Sequence, residues 1–272
     1  MQTPPGFGRI ALLAMSLLLC TASANAAPFA NGSFENGFAS WNVIGDTGVF
    51  PSITFQTTPT DGASYAVLTS APGSTTAVGS GAASAAAVAG LLGVSATPPA
   101  GFSPFEGAGM EQTFDVTAGG NITFDWNFLS DESDAVNQYG NAFPDFAIVH
   151  IRDVNPSSTY SQIFLLVDAD TEFGATPGVP VVVAGFDAET GWRTFDLSAA
   201  GSVLPGAGTY SLGIAVFDVN DNLFDSALAV DNVSVPEPAT VLLLGAGLFG
   251  LLWVGRERPD AMPRSPARTS VR

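Results

Sequence analysis

The chain of 272 residues carries 25 acidic against eight basic residues, all eight of them arginine, with one histidine and one cysteine, for a formal net charge of −17. Such a charge repels phosphate backbones and anionic lipid, which excludes nucleic acid as a partner. A single histidine and the single Cys20 exclude a disulfide framework and a histidine-rich zinc site.

At the start of the chain, Arg9 precedes an apolar stretch, Ile10 to Cys20, and Ala24-Asn25-Ala26 supplies the small residues that a signal peptidase requires. The apolar core of about 11 residues is too short to span a bilayer. Residues 1–26 therefore read as a cleaved signal helix, with the cut between Ala26 and Ala27. Leu19 stands before Cys20 where lipoprotein processing needs a small residue, so the mature chain begins at Ala27 and contains no thiol.

From Ala27 to Val235, short alternating segments separated by Gly, Asn, Asp and Pro predict an all-β domain. Ser33-Phe34 and Trp41-Asn42-Val43 mark the first strands, and Ser64 to Leu68 adds another. Residues 71–104 are rich in Ala, Gly and Ser and read as a flexible surface excursion, with a possible short helix over 82–92. Ile122, Phe124, Trp126 and Phe128 alternate cleanly. Asp145 to Ile151 and Gln162 to Val167 are nearly continuous apolar runs of strand length. Trp192 to Leu197, then Tyr210 to Val216, then Ala227 to Val235 complete the set. Two sheets that bury these faces against each other make a jelly-roll β-sandwich the economical fold.

Beyond the domain, Ala239 to Gly255 forms an apolar run long enough to be a transmembrane helix. It is followed by Arg256 and Arg258 and by the basic tail 259–272, which the positive-inside rule keeps in the cytoplasm. Val235-Pro236-Glu237-Pro238, the Leu/Gly-rich span and Arg256-Glu257-Arg258, in that order, resemble the PEP-CTERM sorting signal. The resemblance implies a Gram-negative exporter, many of which make exopolysaccharide. It also implies recognition by exosortase at the inner membrane, cleavage near the Pro-Glu-Pro motif, and delivery to the cell surface or medium. Signal peptidase and exosortase are then the processing partners, and the membrane is contacted only through the C-terminal segment before cleavage.

The domain carries a resemblance of its own. Asn31-Gly32-Ser33-Phe34-Glu35, with Gly37 and Trp41, is similar to the opening of jelly-roll carbohydrate-binding modules, and Ala229-Val230-Asp231-Asn232-Val233 to their last strand. Glu106-Gly107 through Phe114, Phe124 to Phe128, Asp131-Glu132 and Asp145-Phe146-Ala147 resemble a recurring domain of PEP-CTERM proteins. In those modules the first and last strands share a calcium ion, and by that resemblance Glu35 and Asp231 stand at its ligand positions.

Two acidic loops stand out on the residues alone. The first holds Asp131, Glu132 and Asp134, followed by Asn137, Asn141 and Asp145; the second holds Asp218, Asn220, Asp221, Asn222 and Asp225. Dense Asp/Asn loops supply the oxygens that calcium takes, although the same residues are common in plain turns, and the glycine and distal glutamate of an EF-hand are absent. Calcium is thus a possible cofactor, and no organic cofactor is indicated. Tyr139 and Phe143, in the first loop, are candidate ligand contacts, whereas Trp41, Trp126 and Trp192 fall in strand patterns suited to the core. His150 sits inside an apolar strand and no Gly-x-Ser-x-Gly elbow is present, so no catalytic residue is assigned and an enzyme is not expected. The expectation is an exported surface or matrix protein that binds exopolysaccharide and calcium. A structural surface protein without a specific ligand and a secreted glycan hydrolase are the alternatives, separable by glycan binding and by release of reducing sugar.

Overall fold

A computed structural model describes residues 29–51, 57–71, 81–94, 103–131, 144–173, 179–183, 186–219 and 224–235. Two compact units divide the chain, Met1–Val235 and Pro236–Arg272. The second unit and the signal segment lie outside the described residues, and so does the expected span 239–255. Among the described residues no helix is long and apolar enough to cross a membrane.

Period-two alternation resolves into two sheets whose pairings are all antiparallel. The first sheet runs in the order β1 (Asn42–Ile44), β5 (Pro104–Val116), β12 (Gly208–Val219), β7 (Phe146–Asp153), β8 (Ser161–Asp168), with β4 (Ala83–Ser84) also on β5. The second runs β2 (Asp46–Pro51), β3 (Ser64–Thr69), β13 (Ser226–Ser234), β6 (Thr123–Ser130), β10 (Phe186–Glu189), β9 (Val179–Val183), with β11 (Arg193–Asp196) on β6. The chain crosses between sheets from β5 to β6, from β6 to β7 and from β12 to β13, so neighbours in sequence face each other across the core.

Inward side chains of both sheets form one core: Met110, Phe114, Val149, Ile151, Leu212 and Ile214 from the first, and Leu68, Phe124, Trp126, Phe128, Leu228 and Val230 from the second. The outward face of the first sheet is apolar as well. Phe146, Ile148, Ala215 and Phe217 pack there against Ala85, Val88 and Leu92 of α1 (Ala85–Leu92). This second covered face explains why β7 reads as a continuous apolar run rather than an alternating one. Ser84 caps the helix N-terminus, and Gly93, at φ 68°, ends it in the left-handed region.

Room for α1 comes from two glycines in the strands beneath it. A Cβ on Gly213 would lie 2.6 Å from Leu92 Cγ, and one on Gly109 would lie 3.0 Å from Val88 Cγ1. The helix expected at 82–92 is therefore present over 85–92, but it is docked on a sheet with Val88 and Leu92 fully buried, not part of a surface excursion. A further difference falls at Ser33-Phe34, which make a turn instead of a strand. Asn31 and Phe34 both have φ of 56°. The Asn31 side chain supports the turn by donating to the carbonyls of Gly37 and Ala39 and accepting from the Asn36 amide.

The opening segment packs against the end of the last strand: Val233 N donates to Gly32 O at 3.0 Å. Gln112 of β5 exchanges two hydrogen bonds with the backbone of Ala30, both at 2.9 Å. The first described segment and the segment that precedes the sorting motif thus meet at one end of the sandwich.

Candidate functional site

Glu35 and Asp231 converge on one stretch of chain, residues 60–64. Glu35 Oε1 accepts from the amides of Ala63 and Ser64, at 2.6 and 2.9 Å. Asp231 is fully buried; its Oδ2 accepts from the amides of Thr60 and Asp61, at 2.7 and 2.9 Å, and from the Thr60 hydroxyl at 3.2 Å. Its Oδ1 accepts from Asn232 N at 2.8 Å. Burial raises the Asp231 pKa, and the backbone hydrogen bonds oppose that rise. Glu35 Oε1 and both carboxylate oxygens of Asp231 thus accept protons from this stretch of chain and from Asn232, and the loop is held by hydrogen bonds.

Strand direction gathers the other acidic candidates at the far end of the sandwich. Asp131 closes β6, Asp225 precedes β13, Asp145 precedes β7 and Asp218 lies near the end of β12. Asp131 and Asp225 are joined reciprocally: Asp225 N donates to Asp131 Oδ1 at 2.5 Å, and Asp131 N to Asp225 O at 3.2 Å. Asp145, fully buried, accepts from Val219 N and from the Ser70 hydroxyl, both at 3.2 Å. Ser70 in turn exchanges backbone and side-chain hydrogen bonds with Ser226. Two acids that the sequence pattern did not single out join this end, Asp46 from β2 and Glu106 from β5. Asp46 accepts from the Thr69 hydroxyl at 2.8 Å. No local signal could have found them, because only the fold brings them there.

Electrostatics at this end are one-sided. Burial, reinforced by the negative charges of Glu106 and Asp46, pushes the Asp225 carboxyl up to about 6, and burial raises Glu106 too. Among the described residues no three acidic, histidine or cysteine side chains come close enough together to hold a metal ion. Glu132, Asp134, Asn137, Asn141, Asn220, Asp221 and Asn222 lie outside the described residues, as do Tyr139 and Phe143.

Three tryptophans serve packing among the described residues, Trp126 within β6 and Trp41 and Trp192 each just before a strand. Trp126 is buried in the core beneath the Arg193 guanidinium, which also pairs with Glu172 of α2 (Ala169–Phe173). Trp41 is buried against Phe29 and Phe34 and donates to Asn31 O at 3.2 Å. Trp192, half-buried, lies edge-on to Tyr65 and donates to Thr58 O at 2.9 Å. His150 is packed on the outer face of the first sheet, with both ring nitrogens in hydrogen bonds.

Residues 234–258 match the PEP-CTERM protein-sorting motif. That motif marks an exported protein sorted to the cell surface and processed by exosortase, and it contains Pro236, Glu237, Pro238, Arg256 and Arg258. No curated protein matches the chain. Among solved structures, the chain is similar to TmCBM61 in complex with beta-1,4-galactotriose, at 10% identity and TM-score 0.42, over 79% of this chain and 100% of that one. It is also similar to the K1 cleaved adhesin domain of Lys-gingipain from Porphyromonas gingivalis W83, at 15% identity and TM-score 0.38, over 76% and 96% of the two chains. A third likeness is to carbohydrate-binding modules of the beta-sandwich superfamily, at 13% identity and TM-score 0.34, over 79% and 64%. At these scores the likenesses decide nothing about a ligand.

Proposed function

We propose that this PEP-CTERM protein is cut by exosortase near Val235 to Pro238 and remains at the cell surface or in the surrounding matrix as a free β-sandwich that contacts exopolysaccharide and takes calcium. The observation that carries the reading is the junction. The sorting motif begins at residue 234, and β13, the last strand, ends at Ser234. Removing everything past Val235 therefore takes no strand from either sheet, as expected of a signal appended to a self-sufficient domain.

Charge supports the choice of ligand class. All acidic residues except Glu237, Glu257 and Asp260 lie between Ala27 and Val235, against Arg152 and Arg193 alone. A surface of that sign accepts neutral glycans and divalent cations and rejects polyanions. Calcium is the cation we propose for this acidic domain, and the negative charge crowded around Asp225 supports the reading without defining a ligand set among the described residues.

Expression of the full chain in a host with an exosortase tests the reading. The expected product is a mass ending near Val235 to Pro238, found in the surface or medium fraction. A product that retains Arg272 in the inner membrane would overturn it. Glycan binding by the released domain, and melting in calcium against chelator, then test the two ligands separately.

A further inference from the structure

Ser161, which is exposed, opens β8, the free edge strand of the first sheet, and lies directly opposite Arg152 of β7. Its Oγ is 2.8 Å from His150 Nε2, and His150 Nδ1 is 2.8 Å from the carbonyl oxygen of Leu92 at the end of α1. A carbonyl can only accept, so Nδ1 carries the proton and Nε2 keeps a lone pair for the Ser161 hydroxyl. The ring is 2% exposed and gripped from both sides, which fixes its orientation. A hydroxyl, a base within hydrogen-bond reach and a third group that orients the base make the arrangement that activates serine nucleophiles.

We propose that Ser161 is an activated nucleophile that accepts acyl groups from small esters, with His150 as general base. Arg152 Nη2 donates to Glu111 at 3.0 Å, and Glu111 is also held by the Ser211 hydroxyl. Arg152 Nε is buried beneath Gly93 and has no acceptor, so this cation orders the wall beside His150 and does not itself meet substrate. Ile163 and Leu165 follow Ser161 on the same face of β8 and are 45% and 41% exposed, a surface suited to a short acyl chain.

In the reaction, Ser161 Oγ bonds to the ester carbonyl carbon while its proton passes to His150 Nε2. The C–O bond to the alcohol then breaks, and the alcohol leaves with that proton. Water attacks the acyl-Ser161 ester, gives a proton to Nε2, and the carboxylic acid departs as Oγ recovers the proton. Ester and water become acid and alcohol. Burial holds the His150 pKa below its ordinary value, which keeps the base neutral at physiological pH.

Treating the full-length protein with a fluorophosphonate probe, locating the adduct by peptide mass mapping, and following hydrolysis of p-nitrophenyl acetate test the proposal. The adduct is expected at Ser161, about 100-fold faster than at other exposed serines. Ser161→Ala should abolish both labelling and hydrolysis. His150→Gln also removes a tether of α1, so the role of the base is read from the intact protein. Labelling of Ser161 should slow as the pH falls through the His150 pKa, which burial holds below 6.5. Adducts spread evenly over exposed serines, or hydrolysis retained in full by Ser161→Ala, would overturn it.

Discussion

A single oxygen of Asp231 gathers three donors from Thr60 and Asp61, so one side chain of the last strand anchors the middle of residues 57–63. Replacing it removes the carboxylate that accepts from the Thr60 and Asp61 amides. Asp231→Ala is expected to lower the stability of the chain by about 1–3 kcal/mol, read from the midpoint of denaturant unfolding. Asp225 and His150 set opposing pH dependences. The Asp225 carboxyl titrates at about 6 in the folded chain against 3.8 ordinarily. The native state thus holds the extra proton between those values, and stability falls as pH rises through them. His150 has a pKa below 6.5 in the folded chain. The unfolded chain takes up that proton first, and stability is lost as pH drops below about 6.5. Asp225→Asn should remove the first dependence and leave the second. Unfolding free energy measured across pH checks this, and a variant profile that overlays the parent's counts against it. Both groups were visible in the sequence, Asp225 as part of an acidic loop and His150 as the lone histidine. Their environments were not visible, because Glu106, Asp46, Leu92 and Ser161 reach them only through the fold.

Strands that face the core on one side were legible, and so was the helix near 82–92. β5 was not recognised as a strand, although it is the longest among the described residues. Its glycines at 107 and 109 and its polar Glu106, Glu111 and Gln112 break the alternation. Gly109 is small because α1 lies on it, and Glu111 is polar because Arg152 and Ser211 meet it there. A one-dimensional pattern cannot register a helix packed on the outside of a sheet. Gly213→Ala puts a methyl 2.6 Å from Leu92 Cγ, over the middle of that interface. A loss of about 1–3 kcal/mol is expected from overpacking, with cooperative unfolding retained. Far-UV circular dichroism during denaturation checks it, and unchanged stability would mean that α1 shifts freely on its sheet.

Across the whole molecule, the division of the chain at Val235 predicts how truncations behave. A mature chain ending at Val235 should melt at the temperature of the longer form, because β13 is complete. One ending at Asp225 should not fold, since β3 and β6 both lose the strand between them. Thermal melting of the pair checks both outcomes. The boundary was readable from the Pro-Glu-Pro pattern, and the resemblance to carbohydrate-binding modules already put the first and last segments of the domain together; the backbone hydrogen bond from Val233 to Gly32 that joins them was not legible. The position of β13 has a mechanical consequence. It is an interior strand, antiparallel to β3 on one side and β6 on the other, and its C-terminal end leads to the sorting signal. A tug between that end and the opposite rim pulls β13 along its own axis, at right angles to its hydrogen bonds. Those bonds are then loaded together in shear instead of being unzipped one at a time, the geometry in which a sheet resists force best.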